Sequence, residues 1–381
     1  MRICATGDVA PRRDRPADIF ADVAPALRTA DLCFGQMECP ISDRGSPSPH
    51  ARLAMRTAPN AAAAIRAAGF DVMSLAGNHV LDFGVEALAD TLTHMAQAGI
   101  AVCGAGANLA ATRQPAVLER AGQRVAVLAY SSILPAGYAA DSARPGCAPM
   151  RAHTRYEQIE HDQPGTPPRV HTFADQADLA ALEADVRAAR ADADVVLVSL
   201  HWGIHFVRAE VADYQREIAA AAIRAGADAI LGHHPHLLKG VEFICGKPVF
   251  YSLGNFAIEQ PAAFNAAIAE HASFKHLQTL SSGWQPAAKY QAPPETRHSV
   301  IAWLDYAADG TVAVLLQPCR IDDDSVPRHL APGQPELAEW LAYITAITAE
   351  AGLNAQYALR DDGMITCVPA PPAMSATTAP A

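Results

Sequence analysis

The chain has 381 residues and a net charge of −11, which argues against a nucleic acid or an anionic membrane as its partner. With 50% hydrophobic and 18% charged residues, it has enough apolar material for one large α/β domain or two smaller ones. The eight cysteines are scattered without a Cys-x-x-Cys pair, as is typical of reduced, mostly buried thiols. Because we find neither a signal peptide nor a membrane span, we expect a cytoplasmic protein that acts on a small molecule or a peptide. The oligomeric state stays open.

The apolar pattern predicts short strands that alternate with helices. Predicted strands cover residues 2–6, 30–34, 70–75, 100–103, 124–130, 195–200, 228–231 and 248–253. Predicted helices cover residues 59–68, 85–98, 176–190, 211–225 and 335–350. Residues 299–306 and 311–317, joined by Asp309-Gly310, predict a β-hairpin. Such a rhythm of helices and strands is typical of an α/β fold with a parallel sheet.

Three stretches interrupt this rhythm. Residues 135–170 and 259–297 predict irregular insertions near the mouth of a site, and the second of them is a candidate lid or substrate loop. The tail, residues 369–381, is rich in Pro, Ala and Thr and predicts disorder. We therefore expect one domain over residues 1–330, a C-terminal helical extension over 331–368 and a disordered tail.

Side chains suited to ligand binding follow the ends of five predicted strands. They are Asp8, Glu38, Asn78 with His79, His201, and His234 with His236. Because ligands bind beyond the carboxyl ends of parallel strands, we expect these side chains to converge on one edge of the β core. Each also has an ordinary interpretation: an aspartate after a strand, such as Asp8, is more commonly a turn or helix-cap residue, and the histidine run is equally a surface loop. Arg12 and Arg13 face either an anionic substrate or solvent.

The chemistry of this set indicates a metal centre. Carboxylates, an amide oxygen and imidazoles form the mixed oxygen and nitrogen ligand set of two-metal hydrolytic sites. Pro235 lies between His234 and His236, where it stiffens the turn and favours extended backbone at the residue before it.

Six co-linear motifs resemble the CapA family, which is named for poly-γ-glutamate capsule synthesis and shares the fold of calcineurin-like metallophosphoesterases. They are Gly7-Asp8, Met37-Glu38, Gly77-Asn78-His79 with Asp82 and Gly84, His201-Trp202-Gly203, Gly232 through His236, and Tyr251 through Phe256. The resemblance covers residues 2–325. It implies an α/β fold with a metallophosphoesterase-like β-sandwich core flanked by helices, in four layers, α/β/β/α.

The resemblance also implies roles, residue by residue. Metal ligands would be Asp8 and His236 at a first ion, Asn78, His201 and His234 at a second, and Glu38 between them. The ions would be Mn, Zn or Fe. His79, held by Asp82, would be a general acid or transition-state donor. The side chains that would support the site or the substrate are Arg13, Asn255 and His205.

Several positions depart from the family's pattern. The phosphoesterase histidine two residues after the first aspartate is Ala10 here, and the bridging residue is Glu38 rather than aspartate. Gln36 replaces an asparagine, and His205 stands at a position that is often acidic. The first ion is left with about three protein ligands, whereas the second keeps a full set. We therefore expect the second ion to be bound firmly and the first ion to be bound weakly.

Three functions are compatible with this pattern. The leading one is a metal-dependent hydrolase of a phosphoester or an amide. The second, implied by a branch of CapA-like proteins, is a peptide epimerase of the lasso-peptide type that needs no metal or other cofactor, with Asp8 and His298 as its acid–base pair. The third is a non-catalytic module that binds a peptide or a glycan.

Overall fold

The computed structural model describes residues 1–260, 281–285, 287–307 and 309–371, with four single residues between 271 and 280. Seventeen of the 39 residues of the predicted insertion 259–297, and the tail from residue 372, lie outside the described residues. The described part is a mixed α/β protein with a ten-stranded sheet, a six-stranded sheet and two small two-stranded sheets. Within these ranges, no helix combines the length and the apolar character needed to cross a bilayer.

The elements are as follows. The strands are β1 Arg2–Ala10, β2 Leu32–Met37, β3 Val72–Ser74, β4 Ala101–Cys103, β5 Ala105–Gly106, β6 Ala116–Arg120, β7 Gln123–Ser131, β8 Gly146–Cys147, β9 Ala152–Glu157, β10 Arg169–Ala174, β11 Val195–His201, β12 Ala229–His233, β13 Val241–Ile244, β14 Lys247–Phe250, β15 Asn255–Ile258, β16 His298–Tyr306, β17 Val312–Ile321, β18 Pro327–His329, β19 Ala355–Leu359 and β20 Ile365–Pro369. The helices are α1 Ala24–Leu27, α2 Ala61–Ala68, α3 Gly84–Gln97, α4 Leu109–Thr112, α5 Gln176–Asp192, α6 Asp213–Ala225 and α7 Pro335–Glu350, with 3-10 helices at Pro16–Phe20 and Pro294–Arg297.

The ten-stranded sheet is centred on β1. Strands β1 to β4 are parallel, and β15 also runs parallel to β1, whereas β16 pairs with β1 in the antiparallel sense. The strand β1 continues beyond its expected end at residue 6, through a register shift between Asp8 and Val9. Asp8 therefore lies inside the strand, paired on both sides, and not on the turn after it.

The six-stranded sheet has the order β13-β14-β12-β11-β7-β6, and β7, β11, β12 and β14 are parallel. Successive side chains of β11 pack into two different hydrophobic cores. Val195 and Leu197 belong to the hydrophobic core shared with the ten-stranded sheet, and Val196 and Val198 pack with apolar residues of α5 and α6. This burial on both faces explains the continuous apolar run that predicted the strand.

Two predicted segments differ from the structure. The stretch 135–170 is not wholly irregular, because it contains β8, β9 and the start of β10, and β9 pairs with β10 as a hairpin. The extension 331–368 contains the expected helix α7, but β19 and β20 follow it and extend the sheet beside β17. The predicted hairpin 299–317 is confirmed as β16 and β17. All eight cysteines are free, and only Cys245 is exposed.

Candidate metal centre

The side chains of the site come from the ends of strands in both large sheets. Asp8 lies in β1, Glu38 directly follows β2, and Asn78 follows β3. His201 ends β11 and is the register partner of His233, which ends β12. The expectation of one sheet edge therefore needs correction, since two edges contribute to one site.

Asp8 is fully buried and lies against two imidazoles. Its Oδ1 is 3.0 Å from Nδ1 of His233, and its Oδ2 is 3.3 Å from Nδ1 of His236. Burial alone would raise the pKa of Asp8, but the hydrogen bonds and positive potential of His233 and His236 outweigh it and lower the pKa below its usual range. Asp8 is therefore a carboxylate in the folded protein.

Glu38 is the second buried carboxyl group, and its side chain faces the first. Among the described residues neither of its oxygens has a hydrogen-bond partner. Oε1 lies 3.8 Å from Nε2 of His236 and 3.9 Å from Nε2 of His79. Burial, and then the charges of Asp8 and Asp82, raise the pKa of Glu38.

Unpaired carboxylate oxygens in a buried position are costly unless a cation compensates them. Ligand atoms of Asp8, Glu38 and His236 all lie within 4.8 Å of one another. Oxygen and imidazole donors at this spacing suit a divalent ion. The residues present therefore fit a metal ion at this position. It is the first of the two expected sites, the one in which Ala10 stands where the family has a histidine ligand.

A second group of imidazoles adjoins the first. Nε2 of His201 lies 2.6 Å from Oδ1 of Asn78, and the ring of His201 is 4.9 Å from the ring of His234. The ring of His205 stacks on His234 at 3.7 Å. Burial lowers the pKa of His201 to about 3, and burial followed by the neighbouring imidazoles lowers the pKa of His234 and of His205. Neutral imidazoles are the form that binds metal ions.

The histidine turn is strained. His234 has φ 94° and His236 has φ 57°, a left-handed region that residues with a Cβ rarely adopt. The expectation of extended backbone before Pro235 is therefore wrong for His234. Backbone strain of this kind, about 1–3 kcal/mol per residue, persists where surrounding structure imposes it and is concentrated at functional sites.

His79 is held in a separate network beside these groups. Its Nδ1 is 2.6 Å from Oδ2 of Asp82, and Asp82 accepts hydrogen bonds from the Tyr138 hydroxyl at 3.0 Å and from the Met55 amide at 2.7 Å. Burial raises the pKa of Tyr138, which keeps its hydroxyl protonated as a donor.

A cavity of about 390 Å³ adjoins these groups; among the proposed ligands Asn78 and His236 line it, whereas Asp8, Glu38, His201 and His234 do not. Its polar lining consists of Asn78, His79, Asp82, His205, His236 and Asn255, together with His50, Arg52, Glu259 and Gln260. Its apolar lining includes Leu53, Met55, Ile133, Leu134, Phe206, Ile258 and Tyr290. A largely apolar cavity with a few convergent polar groups is the usual form of a small-molecule site.

Two of the predicted residues lie outside the cavity lining, and a third lines it. His298 begins β16, and its ring stacks on Tyr343 of α7 at 4.3 Å rather than lining the cavity. Arg13 binds Glu259 at 2.9 Å and also lies outside the lining. Asn255 does line the cavity, and its Oδ1 accepts a hydrogen bond from Nδ1 of His236 at 2.8 Å.

Sequence reasoning missed two residues of the site. His233 was part of the histidine run, and its position at the end of β12 was a usable signal, but its bond to Asp8 joins residues 225 positions apart. Tyr138 lies in a stretch without periodicity, and no pattern in the chain pointed to it.

Comparison with known proteins identifies the family to which the chain belongs. A sequence model of the family described as bacterial capsule synthesis protein PGA_cap matches residues 2–260. The chain is 29% identical over 244 residues to PGA biosynthesis protein CapA of Bacillus subtilis, an alignment covering 64% of this chain and 57% of that protein. It is 28% identical over 245 residues to capsule biosynthesis protein CapA of Bacillus anthracis, covering 64% and 54%.

The chain thus spans about half the length of these curated relatives. The family match extends over more than half of the chain and includes the strand ends that carry Asp8, Glu38, Asn78, His201 and His236. The resemblance drawn from the six motifs is confirmed, and the chain belongs to the PGA_cap family of bacterial capsule synthesis proteins.

Proposed function

We propose that this protein is a metal-dependent hydrolase of a phosphoester or an amide. The observation that carries the proposal is the pair of buried carboxyl groups, Asp8 and Glu38, with unpaired Glu38 oxygens, one of them 3.9 Å and 3.8 Å from the imidazoles of His79 and His236. On this proposal, the two large sheets and the helices outside them form the four-layer α/β/β/α sandwich of calcineurin-like metallophosphoesterases.

In this proposal the ligands divide into two sets that share Glu38. Asp8, Glu38 and His236 would hold one ion, and Asn78, His201 and His234 would hold the other with Glu38. Both sets contain imidazole nitrogens beside oxygen donors, and this mixture of ligands favours Mn, Zn or Fe over Mg or Ca. When bound, such ions supply a nucleophilic hydroxide at neutral pH and polarise the bond to be cleaved.

The protein's own residues then supply positioning and a proton. Asp82 accepts a hydrogen bond from Nδ1–H of His79, and Nε2 of His79 lies 3.9 Å from Oε1 of Glu38. The Asp82 carboxylate would stabilise the doubly protonated ring, which would give its Nε2 proton to a leaving group and keep the proton on Nδ1. Asn255 fixes the His236 ring through its Nδ1, so that Nε2 of His236 also faces Glu38, at 3.8 Å.

The names of the relatives bear on the substrate. Proteins named for PGA biosynthesis and for capsule biosynthesis match this chain, and poly-γ-glutamate is a polymer joined by amide bonds. This supports including amides beside phosphoesters among the substrates to be tested.

The test is metal analysis coupled to turnover. Purified protein should contain Mn, Zn or Fe, and EDTA should abolish hydrolysis of an aryl phosphate and of an aryl amide. Glu38→Gln should lose both metal and turnover, whereas Glu86→Gln, a matched change at an exposed position, should keep both. Full turnover by metal-free protein would contradict the proposal. Deuterium uptake from D2O into a peptide by EDTA-treated protein would replace it with the epimerase.

A further inference from the structure

The apolar wall of the cavity begins directly at the metal centre. The ring of Phe206 lies 5.5 Å from the ring of His236 and 5.0 Å from the ring of Trp284. Leu53 and Met55 from one loop, and Ile133 and Leu134 from another, line the same space. A group held at the metal centre would therefore place its neighbouring atoms against apolar side chains.

The charges around the cavity do not suit a polyanion. Arg52 is the single arginine or lysine among the described residues that line it. The carboxylate of Glu259 is engaged by the side chain of Arg13 at 2.9 Å and by the amides of Arg12 and Arg13 at 2.5 and 2.7 Å. A chain of γ-linked glutamates carries one carboxylate per residue, and binding it calls for several arginine or lysine partners. The overall charge of −11 adds repulsion.

We infer that the cavity receives a bulky apolar side chain of a peptide substrate, beside the bond held at the metal centre. On this inference the protein acts on apolar peptides rather than on poly-γ-glutamate. The inference rests on the proposed function and names the substrate class of the same site. A cavity of about 390 Å³ has room for an aromatic or branched aliphatic side chain with the adjoining backbone. The asparagine and histidine side chains at the polar end supply the hydrogen bonds that fix its orientation.

The inference is tested by binding, which is independent of hydrolysis. Acetyl-Ala-Phe-Ala amide, acetyl-Ala-Ala-Ala amide and a trimer of γ-linked glutamate are titrated by calorimetry into metal-loaded and EDTA-treated protein. The phenylalanine peptide should bind at least tenfold more tightly than the other two in both forms, because burial of the ring does not depend on the metal.

Matched variants locate the preference. Leu134→Glu places a carboxylate on the apolar wall and should weaken binding of the phenylalanine peptide at least tenfold. Ala136→Glu makes the same charge change two residues along the loop, at an exposed position outside the lining, and should leave binding within twofold. Ala51→Phe, in the other loop that lines the cavity, fills the cavity with a ring and should also weaken binding of the phenylalanine peptide at least tenfold. It replaces Leu134→Glu in the test if that variant does not fold.

The outcomes separate this inference from the proposed function. Equal binding of the three probes, tighter binding of the glutamate trimer, no binding of the phenylalanine peptide, or equal effects of Leu134→Glu and Ala136→Glu would overturn the inference even in an active metal enzyme. A phenylalanine preference in a protein that neither binds metal nor hydrolyses a substrate would leave the inference standing and remove the hydrolase.

Discussion

His79 and Asp82 are three residues apart in the segment after β3, and Nδ1 of the imidazole lies 2.6 Å from Oδ2 of the carboxylate. Asp82 is fully buried, and its two oxygens also accept hydrogen bonds from the Tyr138 hydroxyl and the Met55 amide. Because a carboxylate can only accept hydrogen bonds, Nδ1 of His79 carries the proton and Nε2 faces the cavity. Asp82 therefore sets both the orientation and the tautomer of His79.

Replacing Asp82 by asparagine should lower turnover without removing metal. Asparagine carries no negative charge to stabilise a doubly protonated His79, and its amide can present a donor to Nδ1, so the ring can no longer hold the two protons that a proton donor at Nε2 requires. We expect kcat to fall roughly 10–100-fold or more, as is usual when the partner that orients an active-site histidine is removed. Steady-state kinetics on an aryl phosphate, with elemental analysis of the same sample, measures both quantities.

Asp43→Asn is the control for that change, since Asp43 is exposed and lies outside the cavity. It should leave kcat and metal content unchanged. If Asp82→Asn retained wild-type kcat at full metal content, His79 would not act as the proton donor.

Tyr138→Phe should slow turnover less severely than Asp82→Asn. It removes one of the hydrogen bonds that hold Asp82, so His79 stays paired but is less firmly oriented. We expect kcat to fall severalfold with KM nearly unchanged, and the free energy of unfolding to fall by about 1 kcal/mol.

Tyr130→Phe is a matched control, because the buried Tyr130 hydroxyl donates to Asp185 at 2.9 Å, remote from the cavity lining. It should cost similar stability, measured by urea unfolding, and leave kcat intact. An equal loss of kcat in the two variants would show that Tyr138 acts only through stability.

The strands that carry the site were predictable because their signals are local. The apolar run 195–200 matches β11, Val195–His201, and Gly69 and Gly226, each at the end of a helix, marked where β3 and β12 begin. The assignment of each strand to one of the two sheets could not be predicted, because it depends on contacts between residues far apart in the sequence. Alternate residues of β11 face different cores, and an apolar run reads the same whichever sheet it joins. The strands β19 and β20 escaped notice because each is short and half exposed.

Residue type and motif predicted one set of candidate ligands, but not the contacts of their side chains. The motifs placed Asp8, Glu38 and His236 in one ligand set, and their atoms lie within 4.8 Å of one another. The direction of a ring depends on packing from remote elements, which the sequence pattern does not contain. His298 stands where expected, at the start of β16, but Tyr343 of α7 stacks on its ring and sets its direction.

Gly7→Ala should damage the metal centre through the backbone. A Cβ at Gly7 would overlap the carbonyl oxygen of Gly254, which accepts the amide hydrogen of Asp8 at 2.9 Å. Relief of this overlap requires β15 to move from β1, and Asp8 with it. We expect a loss of about 2–3 kcal/mol in the free energy of unfolding, together with reduced metal content.

Gly99→Ala separates this steric effect from the general cost of removing a glycine. Gly99 has φ 73° and open space around the added Cβ, so its replacement should cost about 1 kcal/mol and leave metal content unchanged. Should Gly7→Ala bind metal as the wild type does, the contact between β1 and β15 would not position Asp8.

Lys239 makes stability depend on pH in the alkaline range. It is 3% exposed, and its ammonium group donates to the carbonyl oxygen of Val207. Burial lowers the pKa of Lys239 from 10.5 to about 8, although Glu210 and Glu295 oppose the shift. Between about pH 8 and 10.5 the unfolded chain therefore binds more protons than the folded protein at this residue. The free energy of unfolding should rise with pH in that window, by up to about 1.4 kcal/mol per pH unit.

Lys239→Met removes this dependence, so the difference between variant and wild type reports it. Urea unfolding from about pH 7.5 to 10 should show the wild type gaining about 1–3 kcal/mol relative to Lys239→Met, because the burial cost of the ammonium group disappears as it loses its proton. Lys289→Met, at an exposed lysine, should run parallel to the wild type. If the free energy of unfolding of Lys239→Met also ran parallel to that of the wild type across this pH range, Lys239 would be hydrated in solution and its ammonium group would carry no burial cost.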